Sequence, residues 1–215
     1  MRDGHWRDLA GAWRLIRRGL RERIAPTALA DIAALAAFLG QQSAKVAQAS
    51  LFGYLKTRMG TQSRDIFQDP VFAQQISVAQ GHVFHGCLND LGIFALGKVR
   101  ERVFGADDLL ADRAPAIYEA AVQAAEAARD PSAMQAFNER VAGGEWRDVS
   151  DPDAVFATSA EVLLAAAPVS DAFKQSDRAI VTASIRYRWI EVRRTLNARL
   201  DAEKLVESCR RSTGG

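Results

Sequence analysis

The chain has 215 residues, of which 48% are hydrophobic and 25% charged, with a formal net charge of +2. That is enough chain for one sizeable core, and a sequence pI near 8.7 lies below the strongly basic range of nucleic-acid-binding domains, which argues against such a partner. Two cysteines, Cys87 and Cys209, lie far apart without a C-x-x-C spacing; the pattern offers neither a disulfide framework nor a zinc signature and fits a reducing compartment.

The small net charge hides a partition. Residues 1–24 carry seven arginines against three acids, residues 105–177 carry five bases against fourteen acids, and residues 178–215 carry nine bases against four acids. Basic ends around an acidic middle predict either that the ends fold onto the middle or that they face an anionic partner.

Residues 1–26 read as a basic amphipathic helix. Trp6, Leu9, Trp13, Ile16, Leu20 and Ile24 recur at steps of three or four, with Arg7, Arg14, Arg17, Arg18 and Arg21 on other faces. The stripe from Trp6 to Leu20 and those five arginines form a candidate docking surface for an anionic membrane, a protein partner or the chain's own core. Ala25-Pro26 ends the helix, because a residue before proline is pushed out of the helical region.

The rest, 27–215, is expected to be a single all-helical domain, and the organising element is a long helical hairpin over 27–105. Its first arm, with Thr27 as a candidate cap, buries Leu29, Ile32, Leu35, Leu39, Val46 and Leu55. Beside these runs a narrow row, Ala44, Ala47, Ser50 and Gly53, against which the second arm is expected to pack. The connecting loop holds Lys56, Arg58 and Arg64, a candidate anion site that lacks the pattern of a nucleotide cradle. Asp69-Pro70 starts the second arm. Gly81, Gly86, Gly92 and Gly97 each cost about 1 kcal/mol in an exposed helix, so they predict close approaches by neighbours, or else a break near Gly81 or Gly92.

The acidic, alanine-rich middle spans 106–177. It reads as a helix from Asp107 towards Ala128, kinked or divided at Pro115, then a short helix after Asp130-Pro131 that Gly143-Gly144 stops. A loop-like hinge over 143–153 contains Trp146, and a helix from Asp153 to about Ala167 follows. A basic helix over 178–209 completes the domain, burying Val181, Ile185, Trp189, Val192, Leu196 and Leu200; Arg186, Tyr187, Arg188, Trp189 and Arg193 are its candidate nucleic-acid residues.

Three chemistries can be set against these residues. His82-x-x-His85 places two imidazoles on one helix face, the spacing of a metal- or haem-binding bundle, but without a Glu-x-x-His partner or a C-x-x-C-H motif. Ser43, Ser50, His82, His85 and Asp90 supply the residue types of an esterase-type hydrolase, without the G-x-S-x-G elbow. The remaining expectation is non-enzymatic: a cofactor-free helical adaptor, scaffold or assembly protein, docking on a protein complex or an anionic membrane surface. No run reaches the eighteen or so apolar residues of a membrane span, and Arg14, Arg17 and Arg18 interrupt any secretory core. The expected location is therefore cytoplasmic, or peripheral on the inner face of a membrane.

Overall fold

The computed structural model describes residues 27–60 and 69–211. Eight α-helices account for most of them: α1 (Ile32–Met59), α2 (Pro70–Arg100), α3 (Asp107–Ala124), α4 (Pro131–Ala142), α5 (Pro152–Val155), α6 (Ala157–Ala166), α7 (Asp171–Arg199) and α8 (Ala202–Arg211). A 3-10 turn, Glu145–Arg147, lies between α4 and α5. The fold is an all-α bundle, as its sequence pattern predicts.

Helix α2 is the central element, packed against α1, α3, α4, α5, α6 and the 3-10 turn. Asp69 caps it by accepting from the Phe72 N–H at 2.9 Å, and Pro70 occupies the first turn. From Val83 to Gly97 every residue is buried, as the apolar sequence on all sides of the cylinder requires. The helix is unbroken at Gly81 and Gly92, and neighbours explain three of its four glycines. A Cβ at Gly86 would lie 3.0 Å from the Cβ of Val162, one at Gly92 would lie 2.8 Å from the Phe137 ring, and one at Gly97 would lie 2.5 Å from a Val149 methyl. Gly81 meets nothing within 4 Å.

Several boundaries differ from those expected. Asp31, rather than Thr27, caps α1, accepting from the Ala34 N–H at 2.8 Å. The row Ala44 to Gly53 is not one seam for α2, because Gly53 faces the Arg188 guanidinium of α7. The tightest approach of α1 is Gly40, where a Cβ would lie 2.3 Å from the Ala121 carbonyl oxygen of α3. Pro115 sits inside an undivided α3. The expected hinge over 143–153 is packed: Trp146 and Val149 are buried against the Gly97 region, and the indole N–H donates to the Val141 carbonyl at 3.0 Å.

The basic C-terminal helix begins earlier and is interrupted. α7 starts at Asp171 and ends at Arg199, and α8 resumes at Ala202. The interruption serves a clasp: the Leu29 N–H donates to the Arg199 carbonyl at 2.8 Å, the Asp201 N–H donates to the Leu29 carbonyl at 3.2 Å, and Leu29 pairs with Leu200 as a parallel β-bridge. Arg199 Nε adds a bond to the Thr27 carbonyl at 2.9 Å. Of the two charge arrangements open to the sequence, α7 adopts the first in part, with Arg186 3.3 Å from Asp153 and Arg178 paired with Glu161.

Candidate functional site

Of the residues that carry chemistry in the sequence, His82, His85, Asp90 and Arg58 lie in three polar clusters, each of which joins helices. The first is built on His85. Its Nε2 lies 2.9 Å from the Ala128 carbonyl, which can only accept, so Nε2 carries the proton. Its Nδ1, 2.9 Å from the Tyr118 hydroxyl, then accepts from it. Burial pushes the His85 pKa below its ordinary value, against upward pulls from the Ala128 carbonyl and Asp130. His82, one turn earlier, is exposed and stands 3.7 Å from Asp130 Oδ2. Asp130 meanwhile caps α4, accepting from the Ser132 and Ala133 N–H groups. The histidine pair therefore fastens the α3–α4 connection onto α2. That connection needs fastening: Glu126 within it has a φ of 52°, the left-handed region that a residue with a side chain seldom adopts.

The second cluster is centred on Asp90. One carboxylate oxygen accepts from Arg140 Nη1 at 2.9 Å and the other from the Ser159 N–H at 2.7 Å. Arg140 also reaches Glu145 at 2.7 Å, and the Ser159 hydroxyl lies 3.2 Å from the Trp189 indole nitrogen, which donates to it. Helices α2, α4, α6 and α7 thus meet through one buried network. Burial is the largest influence on Asp90 and raises its pKa to about 6, against the opposing pull of Arg140 and Ser159.

The third cluster is the end of α1. Arg58 is paired with Asp177 of α7 and its guanidinium lies 4.6 Å from the centre of the Phe173 ring. It is a link between two helices rather than a free cation for an anion site. Lys56 is exposed beside it, whereas Arg64 lies outside the described residues.

These placements dismantle the hydrolase arrangement. The two nitrogens of His85 go to Tyr118 and Ala128, and the two oxygens of Asp90 go to Arg140 and Ser159, leaving neither with a serine of α1. Ser43 and Ser50 are buried, and among the described residues their hydroxyls have no hydrogen-bond partner. A nucleophile needs its base within hydrogen-bond reach. Neither nitrogen of His85 is free to ligate a metal or haem, and among the described residues no three of His, Cys, Asp and Glu converge. On α7 the candidate nucleic-acid residues are divided: Trp189 is buried, Arg186 pairs with Asp153, and Arg193 lies over the Phe156 ring.

What remains exposed and apolar lies on helix faces and at Phe104, which is fully exposed in the turn between α2 and α3. Val71 and Val78 are over half exposed on the first turns of α2. With Gln74, Gln75 and His82, and with Ala166 and Pro168 opposite, they line an open groove of about 500 Å³. On α7, Phe173, Ile180, Tyr187 and Ile190 are exposed. The docking residues Trp6, Leu9, Trp13, Ile16 and Leu20, with Arg7, Arg14, Arg17, Arg18 and Arg21, lie outside the described residues. Among the described residues no helix is long and apolar enough to cross a membrane.

Arg140, Tyr118 and Ser159 could not be named from the sequence. The available signal was Asp90, the one formal charge between Asp69 and Lys98, on a helix that is otherwise apolar enough to be buried. A buried carboxylate demands a partner, but the sequence does not say which arginine supplies it.

Taken together, these elements define an all-α bundle whose interior polar groups clamp helices to one another. The chain matches no family model, no curated protein and no solved structure.

Proposed function

We propose that this protein is a non-enzymatic helical adaptor or scaffold that docks on a larger protein complex, with residues 1–24 as an additional attachment to an anionic membrane surface. The observation that carries the reading is the open face of α2. Val71, Gln74, Gln75, Val78 and His82 bear no formal acid or base other than the imidazole, and they border a groove of about 500 Å³. A groove without formal charge, in which valine and alanine side chains are mixed with glutamine amides, suits an amphipathic segment of another protein better than it suits an anionic headgroup.

The test is a Val71→Asp/Val78→Asp variant of the full chain. Both side chains are exposed, so the melting temperature should hold, while partners co-purified and identified by mass spectrometry should be lost from this variant and retained by Gln41→Glu, a control on α1. An unchanged partner set would remove the α2 groove from the reading. Flotation with vesicles of phosphatidylcholine and phosphatidylserine tests the membrane attachment separately. There Trp6→Ala/Trp13→Ala should weaken binding, and added salt should weaken it further.

A further inference from the structure

Helix α7 has two apolar faces. Val181, Ile185, Trp189, Val192 and Leu196 are buried in the bundle. Among the described residues, four of the seven large apolar side chains left in solvent also belong to α7: Phe173, Ile180, Tyr187 and Ile190 are 47%, 69%, 77% and 51% exposed. Phe173, Ser176, Ile180, Ala183, Tyr187 and Ile190, all exposed, follow steps of three, four, three, four and three. That is the spacing of the a and d positions of a coiled coil, with Phe173, Ile180 and Tyr187 at a. At about 100° per residue the stripe lies opposite the buried face, and it stays open along about 26 Å of helix. The first stripe joins α7 to its own bundle, and the second has the pattern that receives another helix.

The order of side chains along the stripe selects that helix. A second copy of α7, antiparallel about a two-fold axis between residues 181 and 182, sets large against small: Ile180 meets the second copy's Ala183, and Tyr187 meets the second copy's Ser176. Phe173 against Ile190 closes each end, and the symmetry makes every contact twice. Arg194, the next a position, falls beyond the overlap and about 37 Å from its counterpart. The arginines at the flanking g positions, Arg186 and Arg193, come opposite Ala179 and Ala172 rather than another charge. A parallel pair would instead put Arg194 on Arg194 within the seam, a like-charge contact without compensation. The area also suits a dimer. On the scale of about 150–250 Å² for an aromatic side chain, the exposed parts of the four large residues amount to roughly 450 Å² per copy. A stable interface takes about 800 Å² per partner, and the exposed Ala172, Ser176, Ala179, Ala183 and Arg194 beside them supply the remainder.

We infer that two copies of this chain pair through the outer stripe of α7 as an antiparallel dimer. The pairing needs neither the α2 groove nor a membrane. Where the proposed adaptor function also holds, the dimer carries two grooves and grips a partner with two binding segments more tightly than either groove alone.

Sedimentation equilibrium of the full chain reads the pairing. The 23.5 kDa chain should sediment at twice that mass at micromolar concentration. Ile180→Asp/Tyr187→Asp changes only exposed side chains and should sediment as a monomer with the helical circular dichroism of the parent. Val71→Asp/Val78→Asp should stay dimeric, which separates this interface from the α2 groove, and so should Trp6→Ala/Trp13→Ala. Cysteine pairs read the orientation, since Cys87 and Cys209 are buried. Oxidising an equal mixture of Ser176→Cys and Tyr187→Cys chains should give a cross-linked dimer. Tyr187→Cys alone should cross-link several-fold less, because in this register position 187 lies about 16 Å along the seam from its counterpart. A monomeric parent, an Asp pair that remains dimeric, or a dimer lost in either control variant would overturn the inference. So would Tyr187→Cys cross-linking as well alone as in the mixture, which would mean a parallel pair.

Discussion

Burial makes the native state resist protonation of His85, which would also remove the lone pair that receives the Tyr118 hydroxyl. Its lowered pKa means that the unfolded chain binds the proton more readily. The stabilisation is therefore complete above the ordinary histidine pKa of about 6.5 and is lost as pH falls through the folded value. Asp90 has the opposite sign. Its pKa, raised to about 6, makes the native state the better proton binder, and its contribution declines as pH rises from the usual carboxylate range through that value. Two variants should separate these slopes in urea unfolding series taken from about pH 4 to about pH 8. Relative to the parent, His85→Gln should lose stability more steeply as pH rises, and Asp90→Asn should gain it; parallel curves for all three would show that neither group titrates within this range. At fixed neutral pH, Asp90→Ala leaves Arg140 without its buried partner and should cost about 3–5 kcal/mol. At this scale the sequence was least legible. Ser43, Ser50 and His85 have the composition of a hydrolytic site, yet their partners depend on contacts between positions such as 85 and 128, or 90 and 140, that no local spacing records.

Glycines in α2 distinguish packing from free surface. Gly97→Ala would put a methyl group 2.5 Å from Val149 and 2.7 Å from the Trp146 carbonyl oxygen, and separating them should cost on the order of 1–3 kcal/mol. Gly81→Ala meets nothing and should stabilise by up to about 1 kcal/mol through helix propensity. Thermal melts of the two variants should therefore shift in opposite directions, and a shared direction would contradict the packing described. Helices were the most legible elements, because Asp69-Pro70 and Asp130-Pro131 combine a capping carboxylate with a proline whose missing N–H costs nothing in the first turn. The interruption at Leu200 was not legible. The apolar period through Leu196 and Leu200 continues smoothly, and only the distant Leu29 backbone, pairing there, stops the helix. Trp146 misled in the same way, since the Gly143-Gly144 and aspartate-rich composition of a solvated loop conceals a buried indole.

Across the whole molecule, the acidic middle and the basic α7 are joined at Asp153–Arg186 and Glu161–Arg178, both at exposed positions. Added salt should screen these pairs and change the melting temperature little, since exposed pairs contribute about 0–1 kcal/mol. Arg58–Asp177 differs because its carboxylate is buried. Arg58→Met should destabilise by about 2 kcal/mol or more, and by less in combination with Asp177→Asn, as a double-mutant cycle would show. The clasp at 27–29 has a mechanical consequence. A pull applied to residues 1–26 would reach the bundle through Thr27 and Leu29, whose bonds run to Arg199 and Asp201 at the α7–α8 junction. Tension would therefore load both α1 and α7 at one end, so the anchor is shared by two helices distant in sequence, and because Leu29 is fully buried the strap is itself part of the core that resists the pull.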